Sequence, residues 1–362
     1  MKRGVSGFSL IELIIALAIV ASVIAAASTF FIGVVRQYKV QTKITESNVE
    51  GILGLELLRQ DVESLGFGLP WNGSFNYTER ATGASAALDA LNDAPSNAPR
   101  AIVSIDCSAL GINNGSDYLV IKSTRVGMSD AAGKWTTLRA GPVTRPWGSD
   151  VEDLVAGDRV IVLSPGGATS ASRVLLTPVG GAAFDNFSLS AYEPIDTFQT
   201  NIVYGIDNGT LQRPFNRAEY FIADNATYRR PQHCATNTGV LVKAVVAHDN
   251  PGNTLPPLPL LDCVADMQVV FGLDTNGDRQ VDSWILTTSG MTADQIRTQL
   301  VEVHVNILVQ QGRRDDSYRY PNPTVYVGSP AIGGGRDFDV SAYRNYRWKQ
   351  YTIVVKPKNL AN

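Results

Sequence analysis

Four side chains in a late stretch of the chain, Asp274, Asn276, Asp278 and Asp282, stand at positions 1, 3, 5 and 9 of an EF-hand-like spacing. Alternate oxygens at that spacing converge on a hard cation, so Ca2+ is the cofactor the pattern suggests. Two departures count against it. Arg279 occupies position 6, where glycine makes the turn, and Ile285 occupies position 12, where a bidentate glutamate belongs. A hairpin uses the same residues, because Asn276-Gly277 is a strong turn signal between two β runs and leaves the aspartates solvated. Other constellations are sparse. His233, His248 and His304 are scattered, and His304 falls on the polar alternation of a strand. Arg313, Arg314, Arg319 and Arg336, interleaved with Tyr318, Tyr320 and Tyr326, have the make-up of a nucleic-acid contact, but Asp315, Asp316 and Asp337 dilute the charge. A solvated loop is the expectation, and nucleic acid is not an expected partner. The chain holds no G-x-x-x-x-G-K-[ST], H-E-x-x-H, G-x-S-x-G or CxxC signature. No enzymatic chemistry is expected of it.

One further residue has a chemistry set by where it stands. From Phe8 to Val35 the chain is almost wholly apolar, and Arg36 ends the run. As a helix such a run spans about 42 Å, more than the ~30 Å hydrocarbon core of a bilayer requires. Glu12 is the one charge inside it, and a lone carboxylate in a membrane helix is costly enough to imply a function. A plain anchor leaves Glu12 without a purpose. A conventional secretory signal uses Lys2, Arg3 and a cleavage site at Ala25-Ala26-Ala27, but leaves a carboxylate in the apolar region and an apolar stretch after the cut.

The string Gly7-Phe8-Ser9-Leu10-Ile11-Glu12, with a basic leader before it and an apolar helix after it, resembles the cleavage and methylation site of type IV prepilins. The resemblance implies that a membrane peptidase cuts between Gly7 and Phe8 and N-methylates Phe8. It also implies that Glu12 supports filament assembly by pairing with an N-terminal amine. Phe8 and Glu12 are four apart and share a helix face, which suits that role. Later in the chain, Asp262–Trp284 ("DCVADMQVVFGLDTNGDRQVDSW"), the strand Val301–Val309 and the ending Tyr346–Leu360 look like the late region of PilW-type minor pilins. The stretch 70–215 resembles nothing specific.

The resemblance implies an α+β, pilin-like fold: a long N-terminal helix, membrane-embedded in its first half, packed on an antiparallel β-rich head. The expected boundaries are a leader at 1–7, a transmembrane segment at 8–35, an amphipathic helix at 36–66 and a head at 67–362. Implied partners are other minor pilins, the major pilin, the prepilin peptidase and the inner-membrane assembly platform. The implied place is the bacterial inner membrane, single-pass with a periplasmic head, and then the pilus. A head outside the cytoplasm admits a disulfide, and Cys234 with Cys263 is the expected pair, with Cys107 left over. Three cysteines alone do not fix the pairing. Two other roles share this N-terminus: a type II secretion minor pseudopilin and a tip adhesin.

Composition and periodicity agree with such a head. The chain has 362 residues, 18% charged, with 32 glycines and 18 prolines, which suits turn-rich β structure and not a helical bundle. Its formal net charge of −3 argues against a protein that coats nucleic acid. Val40, Ile44, Ile52, Leu55, Leu58, Val62 and Leu65 recur near helical spacing up to Gly66, Gly68 and Pro70, predicting an amphipathic helix whose apolar residues pack on the head, with packing against neighbouring subunits' helices on another face as the alternative. Eleven β runs follow, from Ala101–Asp106 to Trp348–Lys356, and Thr292 with Gln295 predicts a capped helix before Leu300. Glu79–Arg100 and Gly312–Asp339 are predicted as long surface loops.

Overall fold

The computed structural model describes residues 9–72, 75–80, 86–106, 115–165, 173–177, 185–187, 190–225, 228–249 and 253–360. The fold is α+β, with two compact units, Met1–Val49 and Glu50–Asn362. A helix, α1 (Leu10–Glu63), begins in the first and ends in the second.

Within the second unit α1 packs through one narrow face. Leu55, Leu58 and Val62 are buried there, with Leu65 just beyond the helix end. Each contributes roughly 1.5–3 kcal/mol of burial. Ile52 does not belong to that face: it is 59% exposed, and Leu53 and Leu57 are exposed beside it. The helix therefore carries, beside the face on the head, a second apolar strip that the head leaves uncovered. Val40 and Ile44 fall outside the described side chains. The close approach is made at glycines. A Cβ on Gly54 would lie 1.8 Å from the Leu260 carbonyl oxygen, so the helix backbone rests directly on a strand.

A short α2 (Ala86–Asp89) precedes β1 (Ile102–Asp106) and β2 (Asp117–Ser123). Next come β3 (Trp135–Arg139), β4 (Val143–Thr144), β5 (Arg159–Ser164), β6 (Val174–Leu175), β7 (Asp185–Asn186) and β8 (Asn201–Asp207). The late half has β9 (Asn216–Ala223), β10 (Gly239–Val245), β11 (Leu258–Leu273), β12 (Ser283–Ile285), α3 (Ala293–Gln299), β13 (Leu300–Gln311), β14 (Thr324–Ser329), β15 (Gly334–Asp339) and β16 (Arg347–Val355).

The main sheet runs β1-β2-β9-β10-β11-β13-β16, with β12 also on β11, and its pairs are antiparallel. In it β2 lies directly on β9, with Leu119 opposite Tyr220. The residues between those neighbours, 124–215, carry a second sheet ordered β4-β3-β8-β5-β6, with β7 on β5. The middle of the chain is thus a lobe inserted between two paired strands. Asn216 ties its two ends, donating to the Thr124 and Ile206 carbonyls at 3.0 and 2.8 Å.

Two stretches predicted as loops are otherwise. Gly312–Asp339 contains the β14–β15 hairpin, whose Val327 packs with Leu308 and Trp348. Asn306, Leu308 and Gln310 are buried on the hairpin's side, and Val303, Val305, Ile307 and Val309 are buried on the other face in the main core, so the second half of β13 is dry on both faces. The described part of Glu79–Arg100 turns its charges inward: Glu79, Asp93 and Arg100 are buried. Capping of α3 has both reciprocal bonds, Thr292 to the Gln295 amide and Gln295 to the Thr292 amide.

Candidate functional site

Residues Leu10–Ile32 form a helix segment long and apolar enough to cross a membrane by length and composition. Its large apolar side chains are exposed. Glu12 lies in its first turn, and its carboxylate oxygen Oε2 accepts from the Ser9 amide and the Ser9 hydroxyl, both at 2.9 Å. The Ser9 oxygen in turn accepts from the Glu12 amide at 3.3 Å. This is a capping box that closes the helix start and gives the lone carboxylate local donors. Ser9-x-x-Glu12 is the sequence signature of such a box, and it makes Ser9 the partner of Glu12. Gly7 and Phe8 lie outside the described residues.

The loop between β11 and β12 spends its carboxylates on its own backbone. Asp274 accepts from the amides of Asn276 (3.1 Å), Gly277 (2.6 Å) and Arg279 (2.7 Å). Asp282 accepts from the amides of Thr275 and Asn276 at 2.7 and 3.2 Å, and from the Asn276 side chain at 2.9 Å. Asn276 accepts from the Asp278 amide, and Asp278 from the Gln280 amide, both at 2.8 Å. Desolvation raises the Asp274 carboxyl, but the amides of Arg279 and Gly277 outweigh it and hold the group below its ordinary range. Arg279 takes a left-handed φ of 67° where a glycine would be unstrained. These bonds close the hairpin tip between β11 and β12.

Cys234 and Cys263 are joined by a disulfide, with their Cα atoms 5.1 Å apart. Both are buried, and Cys107 lies outside the described residues. The arginine-tyrosine stretch does not present its charges together: Arg336 donates to buried Asp266 at 2.8 Å and Arg314 to Asp316 at 2.9 Å. His304 pairs with Glu302, and His248 is buried against Asn216.

A buried polar network has no motif. Lys122 of β2 reaches Glu79 at 2.8 Å and Asp93 at 2.5 Å; Arg217 of β9 reaches Glu79 at 2.7 Å and Glu219 at 2.9 Å. Arg80 and the Tyr118 hydroxyl also bind Glu219, and Arg100 binds Asp93. Burial pushes the Glu79 carboxyl up, and the Lys122 and Arg217 charges more than reverse that, holding it well below the usual carboxylate range. Nothing in the spacing of these residues announces the network, since its members come from a loop and two non-consecutive strands. A second buried pair fixes α1 to the sheet: Asp61 accepts from Lys243 at 2.6 Å and from the Tyr220 hydroxyl.

Two family models match the chain. Residues 2–28 match the prokaryotic N-terminal methylation motif, and residues 219–359 match the type IV pilus-assembly protein W family. The second match begins within β9, so the inserted lobe lies outside it. No curated protein and no solved structure matches.

Proposed function

We propose that this chain, a PilW-type pilin with a prepilin N-terminus, is a minor pilin that takes part in assembling and priming a type IV pilus and ends at or near the pilus tip. One observation carries the reading: an exposed apolar helix with a single carboxylate in its first turn leads into a large β head whose late half matches the assembly family. The helix serves as the membrane anchor before assembly and as the packing element afterwards. The head, enlarged by its inserted lobe, is bulky for a repeating subunit and suits a position with few copies. Its work is structural. Processing falls between Gly7 and Phe8, with N-methylation of Phe8, and the Glu12 charge pairs with an N-terminal amine as helices replace lipid. The partners are other minor pilins and the major pilin, the prepilin peptidase and the inner-membrane platform. The head faces the periplasm until the filament emerges.

A tip adhesin is the second reading, favoured by Ile195 and Phe198, which stand 103% and 94% exposed on the inserted lobe. A deletion strain separates the roles. Loss of pili with secretion intact supports the minor pilin, whereas loss of secretion with pili intact makes the chain a pseudopilin. Normal piliation with lost attachment makes it an adhesin.

A further inference from the structure

We propose that His233, Cys234 and Cys263 form a site for a thiophilic divalent cation, of which Zn2+ is the type, in the folded head before its two cysteines are oxidised. The ligand atoms of the three residues lie within 4.8 Å of one another, and no other described His, Cys, Asp or Glu side chains gather so closely in threes. His233 Nε2 stands 3.5 Å from Cys263 Sγ. With metal–sulfur bonds of about 2.3 Å and metal–nitrogen bonds of about 2.0–2.1 Å, the sulfur-to-nitrogen edge of a tetrahedral site is also about 3.5 Å.

Gln310 of β13 donates to the His233 carbonyl at 3.0 Å and accepts from the Ala235 amide at 2.6 Å, so one side chain clamps the chain on both sides of Cys234. Cys263 sits where the β10–β11 register shifts, at a left-handed φ of 55°. Such an irregularity re-aims a side chain. Binding is balanced as M2+ plus two thiols and a neutral imidazole giving the bound cation and two released protons, with a fourth position open to water. Once the sulfurs are joined to each other neither offers a thiolate, so metal and disulfide exclude one another.

The test uses the detergent-solubilised full chain carrying Cys107→Ser, stripped of metal and reduced with a phosphine. Co2+ is the probe. One equivalent should produce a sulfur-to-cobalt charge-transfer band and tetrahedral d–d absorption, displaced by Zn2+. The oxidised chain should show neither, Cys234→Ser with Cys263→Ser should lose both, and His233→Ala should lose most of the d–d intensity. Circular dichroism records whether the reduced head stays folded. The proposal is overturned by a folded reduced chain without these bands, by bands that persist in the double serine variant, or by a head that unfolds on reduction.

Discussion

The carboxylate of Glu12 is hydrogen-bonded to Ser9 three residues earlier, through both the amide and the hydroxyl, at 2.9 Å each. The carboxylate is thereby aimed at the helix start, one residue from the terminus that cleavage at Gly7-Phe8 would expose. In a helix that spans a membrane from Leu10, Glu12 would stand near the surface, where the insertion penalty is below the ~2.5–3.5 kcal/mol of a mid-span charge. Membrane levels of Glu12→Ala and Glu12→Gln should therefore match wild type. Their levels in sheared filaments should fall by orders of magnitude, because losing one partner of a buried pair costs about 3–5 kcal/mol. Ser9→Ala, which costs only about 1 kcal/mol of capping, should still reach filaments. Wild-type filament levels of both Glu12 variants would show that the charge is not the assembly contact.

The head should depend on its buried network more than on any surface pair. Lys122→Met removes the cation that Glu79 and Asp93 share, leaving Glu79 to Arg217 and Asp93 to Arg100 in a site that has lost one buried positive charge. The expected loss is about 3–5 kcal/mol in denaturant unfolding, partly recovered when Glu79→Gln is added. A loss under about 0.5 kcal/mol would mean that the network is not formed.

Acid should act first through His248. Its Nδ1 accepts from the Gln212 amide at 3.3 Å, which leaves Nε2 to donate to Asn216 at 3.1 Å, the residue that ties the lobe to the sheet. Burial, and after it the Arg213 charge, hold this imidazole well below its ordinary pKa. The unfolded chain thus binds the extra proton first, and the stability that His248 contributes is full above about pH 6.5 and lost as pH falls from there. Glu79, also depressed, acts only below about pH 4.3. His248 should pull the melting temperature down between about pH 7 and pH 5.5, against the opposite pull of Asp117, whose carboxyl burial holds well above its ordinary range, and His248→Gln should remove the downward pull. An unchanged slope in the variant would assign the acid sensitivity elsewhere.

Calcium should matter little to the β11–β12 loop. Asp274, Asn276, Asp278 and Asp282 already accept from the loop's own amides. Melting temperatures of the protein in millimolar calcium and in chelator should coincide. A bound ion at a hundredfold excess over its dissociation constant would add about 2.7 kcal/mol and raise the transition by several degrees, which would restore the cation reading.

What the sequence made legible follows from how local each signal is. The capped helix at Thr292 and the strand at Asp117–Ser123 are written in neighbouring residues, and both are found at those positions. The disposition of α1 is half legible: its 3.6-residue pattern marks apolar faces but not which one meets Leu260, and so does not separate Ile52 from Leu55 and Leu58. The hairpin in Gly312–Asp339 was hidden by its glycines and charges, which read as loop until Val327 is seen against Trp348. The network of Glu79, Lys122 and Arg217 was illegible in principle. Its partners are up to 138 residues apart, and burial of charge depends on a cover that no local pattern reveals.

The account's central claim concerns position in a filament, and immunogold labelling of the head on sheared pili tests it most directly. The claim predicts label at one end of a pilus and none along the shaft, with the end label lost when Gly7 is replaced by a bulky residue. Label distributed along the shaft, or its absence from filaments that assemble normally, would contradict it.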